Sequence, residues 1–232
     1  MTDPVEEGEL TERFPRRGRG GVRGEIKVDR EVVLDQAAEI FAERGYRGTN
    51  LSHVASRIGV TRQALYYHFP RKLDILLALF DRMTTLLENG ADAVASQVLP
   101  PGELFGAMLE SHARLVATNI DLVTIVLSEN AEFPEADRRV VQARRRLYTE
   151  RFVDAYRRGV QAGALADRDP HVAVYTLIGA VNSMFRWYKA DGAVPPTEIA
   201  RITVGFLASG YNVPDTSSGR EGGTRRRSRS ER

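Results

Sequence analysis

The sequence predicts an all-α protein in which a small N-terminal three-helix unit precedes a larger helical body. Apolar residues recur at helical spacing through the interior of the chain, and strand-like alternation is absent. Glycine or proline falls at the breaks: Gly45, Gly59, Pro70, Pro100-Pro101, Pro134, Gly163, Pro170 and Pro195-Pro196. These breaks bound helices near 29–44, 50–58, 61–67, 71–96, 102–118, 120–130, 137–162, 170–189 and 196–211.

Helix 1 carries Val33, Ala37, Ile40 and Phe41 on one stripe, with Asp29 placed to cap its start and Gly45 to end it. Helix 2 carries Leu51, Val54, Ala55 and Ile58, with Thr49 or Asn50 as its N-cap. Gly59 permits the positive φ of a tight turn, Val60 plugs it, and Thr61 caps helix 3. Ala64, Leu65 and Phe69 point back toward the first two helices. Two short helices joined around a glycine in this way form a helix-turn-helix.

The charge distribution agrees with that motif. The chain of 232 residues has a net charge of only +2. Arg13 to Lys72 nevertheless holds 13 Lys/Arg against 6 Asp/Glu, and Leu73 to Pro214 holds 14 against 17. A basic first third on a slightly acidic body suits a first part that meets a polyanion. The division expected is a flexible basic arm over 1–24, the helix-turn-helix unit over 25–72, the body over 73–213 and a disordered basic tail over 214–232.

Helix 3 leaves Thr61, Arg62, Gln63, Tyr66, Tyr67 and His68 free of packing duty. Arg and Gln near a helix N-terminus suit guanine and adenine edges in a major groove. Thr, Tyr and His suit phosphate oxygens, and Lys72 at the start of the next helix adds a cation.

The run Gly59-Val60-Thr61-Arg62-Gln63-Ala64-Leu65-Tyr66-Tyr67-His68-Phe69-Pro70-Arg71-Lys72 makes the motif specific. With Ala37-Ala38-Glu39-Ile40-Phe41, Gly45-Tyr46, Thr49-Asn50-Leu51 and Val54-Ala55 in register, residues 30–76 resemble the DNA-binding domain of the TetR family of repressors. The resemblance implies that Arg62, Gln63 and Ala64 face bases. It implies that Thr49, Thr61, Tyr66, Tyr67, His68 and Lys72 lie near the DNA backbone. It also implies a homodimer on double-stranded operator DNA, with a body that binds a small-molecule inducer.

In the body, helix 170–189 carries Val174, Leu177, Ile178, Val181, Met184 and Phe185, with Gly179, Ala180 and Ser183 small enough for close helix contact. Helix 196–211 carries Ile199, Ile202, Phe206 and Leu207. Two such helices per subunit suit a four-helix dimer interface, with Phe206 as a contact. Helix 137–162 carries Val140, Leu147, Tyr148, Phe152, Ala155 and Tyr156, and Arg144-Arg145-Arg146 reads as a solvated face. Within apolar stretches stand His112, Asn119, Asn130, Asn182 and Arg186. A ligand site drawn from His112, Asn130, Tyr148, Phe152, Asn182, Phe185 and Arg186 is the expectation. The stretch from Tyr148 to Tyr188 is diffusely similar to family members that respond to lipids and acyl-CoA, which implies a lipophilic or acyl-CoA inducer.

Other classes find little support. The histidines His53, His68, His112 and His171 are scattered, with no zinc-protease helix, nucleophile elbow or phosphate-binding glycine loop, so neither an enzyme nor a cofactor or metal site is expected. The chain has no cysteine, which excludes disulfides and thiolate sites and fits a reducing cytoplasm. Met1 to Glu12 holds five acids and no base, unlike a signal peptide, and no apolar run nears the roughly 20 residues of a membrane span. The remaining alternative is a DNA-binding regulator without a small-molecule ligand, controlled by a partner or acting architecturally.

Overall fold

The computed structural model describes residues 29–212; the expected arm over 1–24 and tail over 214–232 lie outside the described residues. A head of three helices is built first: α1 (Arg30–Arg44), α2 (Leu51–Ile58) and α3 (Arg62–His68). A long α4 (Lys72–Ala95) leaves the head and enters the body. There follow α5 (Pro101–Thr118), α6 (Ile120–Ser128), a 3-10 turn (Asn130–Glu132), α7 (Glu135–Gln161), α8 (Pro170–Asn182), a second 3-10 turn (Ser183–Arg186) and α9 (Pro196–Tyr211). No strand forms among the described residues, and no described helix is long and apolar enough to cross a membrane.

The caps explain the head's boundaries. The Asp29 side chain accepts the Glu31 N–H at 3.0 Å, and the chain leaves α1 at Gly45 with φ 73° and ψ 152°. That conformation is open to glycine almost alone. Asn50, rather than Thr49, caps α2: it accepts the His53 N–H at 3.0 Å while His53 Nδ1 accepts the Asn50 N–H at 3.3 Å. Gly59 turns the chain at φ 77°, and the Thr61 hydroxyl accepts the Ala64 N–H at 3.2 Å to start α3. Val33, Ala37, Val54, Leu65 and Phe69 close the small core between them.

Within the body α5 is central and packs on α4, α7 and α9. Phe105 on α5 meets Phe152, Tyr156 and Tyr211 edge to face, at centroid distances of 6.5, 5.1 and 5.2 Å. The Tyr156 hydroxyl donates to the Ala166 carbonyl at 2.7 Å, and the Ala166 N–H donates to the Tyr211 carbonyl, tying the connection between α7 and α8 to the end of α9. Head and body meet where α1 packs on α6 and α4 runs between them.

Two readings of the sequence change. The helix expected over 170–189 is α-helical only to Asn182 and tightens into a 3-10 turn through Arg186. The run Arg144-Arg145-Arg146 is not one solvated face. Arg144 pairs with Asp81, Thr85 and Glu88 of α4, the Glu88 contacts measuring 3.0 and 2.7 Å. Arg145 donates to the Val126 carbonyl at 3.2 Å and lies 5.3 Å from the Phe80 ring centroid. Arg146 alone is exposed.

Candidate nucleic-acid interface and body core

The exposed side of α3 is polar and aromatic. Thr61, Arg62, Gln63, Tyr66 and Tyr67 are exposed, Ala64 and His68 are half-buried, and Leu65 is fully buried against the head. Tyr67 is 85% exposed, so its ring is not a core aromatic. It meets His68 edge to face at 5.3 Å. The Thr61 oxygen is used as an acceptor by its own helix, which leaves its O–H free to donate. This one short helix therefore offers a guanidinium, an amide and hydroxyl donors together, the groups that read base edges and phosphates.

Thr49 departs from the expectation. It is 2% exposed and its hydroxyl donates to the Gly45 carbonyl at 3.0 Å, so it holds the turn before α2 rather than standing open to a phosphate. Lys72 also has structural work. Its ammonium donates to the carbonyls of Tyr46 and Thr49 at 2.6 and 2.8 Å, which leaves one N–H of three. His53 is the second half of the α2 capping box.

In the body, four of the expected ligand residues come together. His112 on α5 is buried between Tyr148 and Phe152 on α7 and Asn182 at the end of α8. Burial pushes the His112 pKa down to about 4 against an opposing hydrogen bond to Asn182, so the ring is neutral at pH 7. The Asn182 Oδ1 can only accept, so His112 Nε2–H donates to it across 3.1 Å. The other nitrogen, Nδ1, accepts from the Tyr148 hydroxyl at 2.9 Å. Burial likewise raises the Tyr148 pKa, so the whole network is uncharged.

The other expected ligand residues stand elsewhere. Phe185 and Arg186 line an open cleft of about 520 Å³ between the start of α6 and the turn after α8, with Ile120, Thr124 and Trp187. Asn130 opens the 3-10 turn after α6, and its side chain lies outside the described residues. Asn119, another polar residue in an apolar stretch, donates to the Leu115 carbonyl at 2.9 Å. Among the described residues no cluster of His, Asp or Glu could hold a metal ion.

Sequence reasoning missed several residues at the junction of head and body. Arg145 carried a signal: it lies one helical turn from both Val141 and Tyr148, on the apolar stripe of α7. Arg47, in the turn before α2, pairs with Glu132 across 85 positions of sequence, and no local pattern announces that.

The family description "Bacterial regulatory proteins, tetR family" matches residues 33–79, and "Tetracyclin repressor-like, C-terminal domain" matches residues 98–211. A transcriptional regulator of the TetR/AcrR family from Thermobifida fusca is 34% identical, covering 79% of this chain and 98% of its own, with a TM-score of 0.64. The transcriptional activator FasR of Mycolicibacterium smegmatis is 26% identical over 213 residues, which is 89% of this chain and 95% of FasR. AibR, solved with isovaleryl coenzyme A and operator DNA, is 28% identical with a TM-score of 0.68, covering 76% of this chain and 96% of AibR. The matches span both the head with its α3 edge and the body with its neutral core network: the chain belongs to the TetR family of DNA-binding transcriptional regulators.

Proposed function

We propose that the protein is a homodimeric repressor that occupies operator DNA through α3 and leaves it when a small apolar or acyl-CoA-like molecule enters the body. The observation that carries this reading is the exposed face of α3, where Arg62 and Gln63 stand ready for bases and Thr61, Tyr66, Tyr67 and His68 for the backbone. Ala64, half-buried beside them, allows close approach to a base edge. An operator as partner places the protein in the cytoplasm.

The dimer reading rests on where apolar surface is left. Of ten exposed large hydrophobic residues among the described residues, Val172, Tyr175, Trp187, Val194 and Phe206 lie between the start of α8 and the end of α9. Gly179 and Gly205 on these helices have open space where a side chain would stand, which suits close helix packing by a second copy.

The ligand reading rests on the network of His112, Tyr148 and Asn182 beside Phe152. A buried uncharged donor–acceptor set in an aromatic core suits a ligand carbonyl on an apolar chain, and the separate cleft at Phe185 and Arg186 offers a second polar and aromatic lining. AibR's complex with isovaleryl coenzyme A lends an acyl-CoA weight. Repression is the simpler sign, because a bound dimer blocks a promoter unaided, although FasR is named an activator.

Selection of bound fragments from genomic DNA, followed by titration of isovaleryl and longer acyl-CoA thioesters into the complex, tests the reading. Loss of operator affinity on ligand addition is expected. Affinity unmoved by any thioester would favour a regulator controlled without a small molecule, because a ligand that binds both states equally shifts nothing.

A further inference from the structure

Arg47 stands in the turn between α1 and α2, with its side chain 80% exposed. Its Nε and Nη2 both donate to the same oxygen of Glu132, at 2.9 and 2.7 Å. The backbone on either side of Arg47 is fixed: Tyr46 and Thr49 are buried, and Lys72 holds both carbonyls. The guanidinium alone is free to swing. It lies four residues before the start of α2, the helix that crosses the DNA backbone in a helix-turn-helix. With Thr49 buried and Lys72 committed to carbonyls, Arg47 is an exposed cation, beside Arg71, at the corner where those two residues were expected to meet phosphates.

Glu132 belongs to the body. It ends the 3-10 turn after α6, and the next residue, Phe133, is buried edge to face against Phe80 of α4 at 6.2 Å. Glu129, one turn earlier, adds its field at Arg47 and at Lys72. The body thus presents two carboxylates to the cations on this edge of the head.

We propose that Arg47 is a DNA-phosphate contact that Glu132 occupies in the free protein, so that the body's carboxylate competes with DNA for one guanidinium. This rests on reading the α2–α3 unit as the DNA-binding face. The guanidinium can exchange because its own end of the pair lies in water, where a charge pair contributes little, although the Glu132 side chain is only 27% exposed. Glu132 then subtracts from DNA affinity, and any shift of the body that withdraws it strengthens binding.

The opposite possibility, a strut in which the pair steadies the head, predicts the opposite sign. Binding to a fluorescent random-sequence duplex of about 30 base pairs, between about 50 and 200 mM salt, separates the two. Glu132→Gln should bind more tightly than the unaltered protein, and its affinity should fall up to about threefold to fourfold further over that range, as one added phosphate contact requires. Arg47→Gln should bind more weakly with a shallower salt dependence. The double variant should match Arg47→Gln. Weaker binding or an unchanged slope for Glu132→Gln would overturn the proposal. So would equal tightening by Glu132→Gln in the Arg47→Gln background, which would mean a general field acting without Arg47. Absence of any duplex binding by the unaltered protein would overturn the DNA-face reading itself, a distinct result.

Discussion

The Lys72 ammonium lies 2.6 Å from the Tyr46 carbonyl oxygen and 4.0 Å from the centroid of the Tyr46 ring. One cation thus fixes both the backbone and the side chain of the residue that follows Gly45. Tyr46 is buried, and its phenol is pushed up to about 12 by burial, with the nearby Glu132 and Glu129 adding to the effect.

Lys72→Met should therefore act first on stability. It leaves the Tyr46 and Thr49 carbonyls without a donor, a loss of about 1–3 kcal/mol. Urea unfolding should show that loss, while the salt slope of DNA binding changes less than in Arg47→Gln. Unchanged stability with a slope flattened by about one contact would return Lys72 to the phosphate role.

Arg62 should behave differently. It is exposed on α3 and makes no ion pair with a described residue, so its removal leaves the head intact. Arg62→Ala should weaken operator binding by about 1–3 kcal/mol and binding to a scrambled duplex much less. Equal losses on both duplexes would remove it from base reading.

His112 makes stability depend on pH. Its folded pKa of about 4 lies below the ordinary value of 6.5, so between these values the unfolded chain binds the extra proton. Stability is full above about pH 6.5 and falls as the pH drops toward 4, by roughly 3 kcal/mol from this group. A His112→Phe variant should lose that part of the pH dependence, read as the difference between the two unfolding curves from pH 7 to 4. Parallel curves would show that the ring titrates normally.

Phe206, 79% exposed on α9, tests the dimer. Phe206→Asp should give monomers that keep their helical content by circular dichroism and lose operator binding. A variant that sediments as a dimer and binds normally would move the interface to other helices.

Most of the fold was legible because helical period and breaker residues act locally. The α3 face was legible for the same reason: Leu65 and Phe69 turn inward, so Arg62, Gln63, Tyr66 and Tyr67 must turn out. The junction was not. Whether Lys72 meets a phosphate or a carbonyl depends on where the turn at 46–49 lies in space, and whether Arg144 is solvated depends on which helix runs beside α7. The end of α8 at Asn182 follows no breaker residue either; it falls where that side chain bonds His112, a contact 70 positions away.

The clamp of Arg144 on Asp81, Thr85 and Glu88 gives α4 a fulcrum. From Thr85 to Lys72 the helix runs about 20 Å beyond that point, at about 1.5 Å per residue. A rotation of one degree about the clamp therefore displaces the head end of α4 by about 0.35 Å, and five degrees by nearly 2 Å, over the same helical rise. Hydrogen bonds to base edges lose most of their strength over such distances. Under the proposed function, a stiff lever pinned near its middle would let side-chain movements of ordinary size in the body decide whether α3 fits its groove, with no need for the head to unfold or the body to open widely.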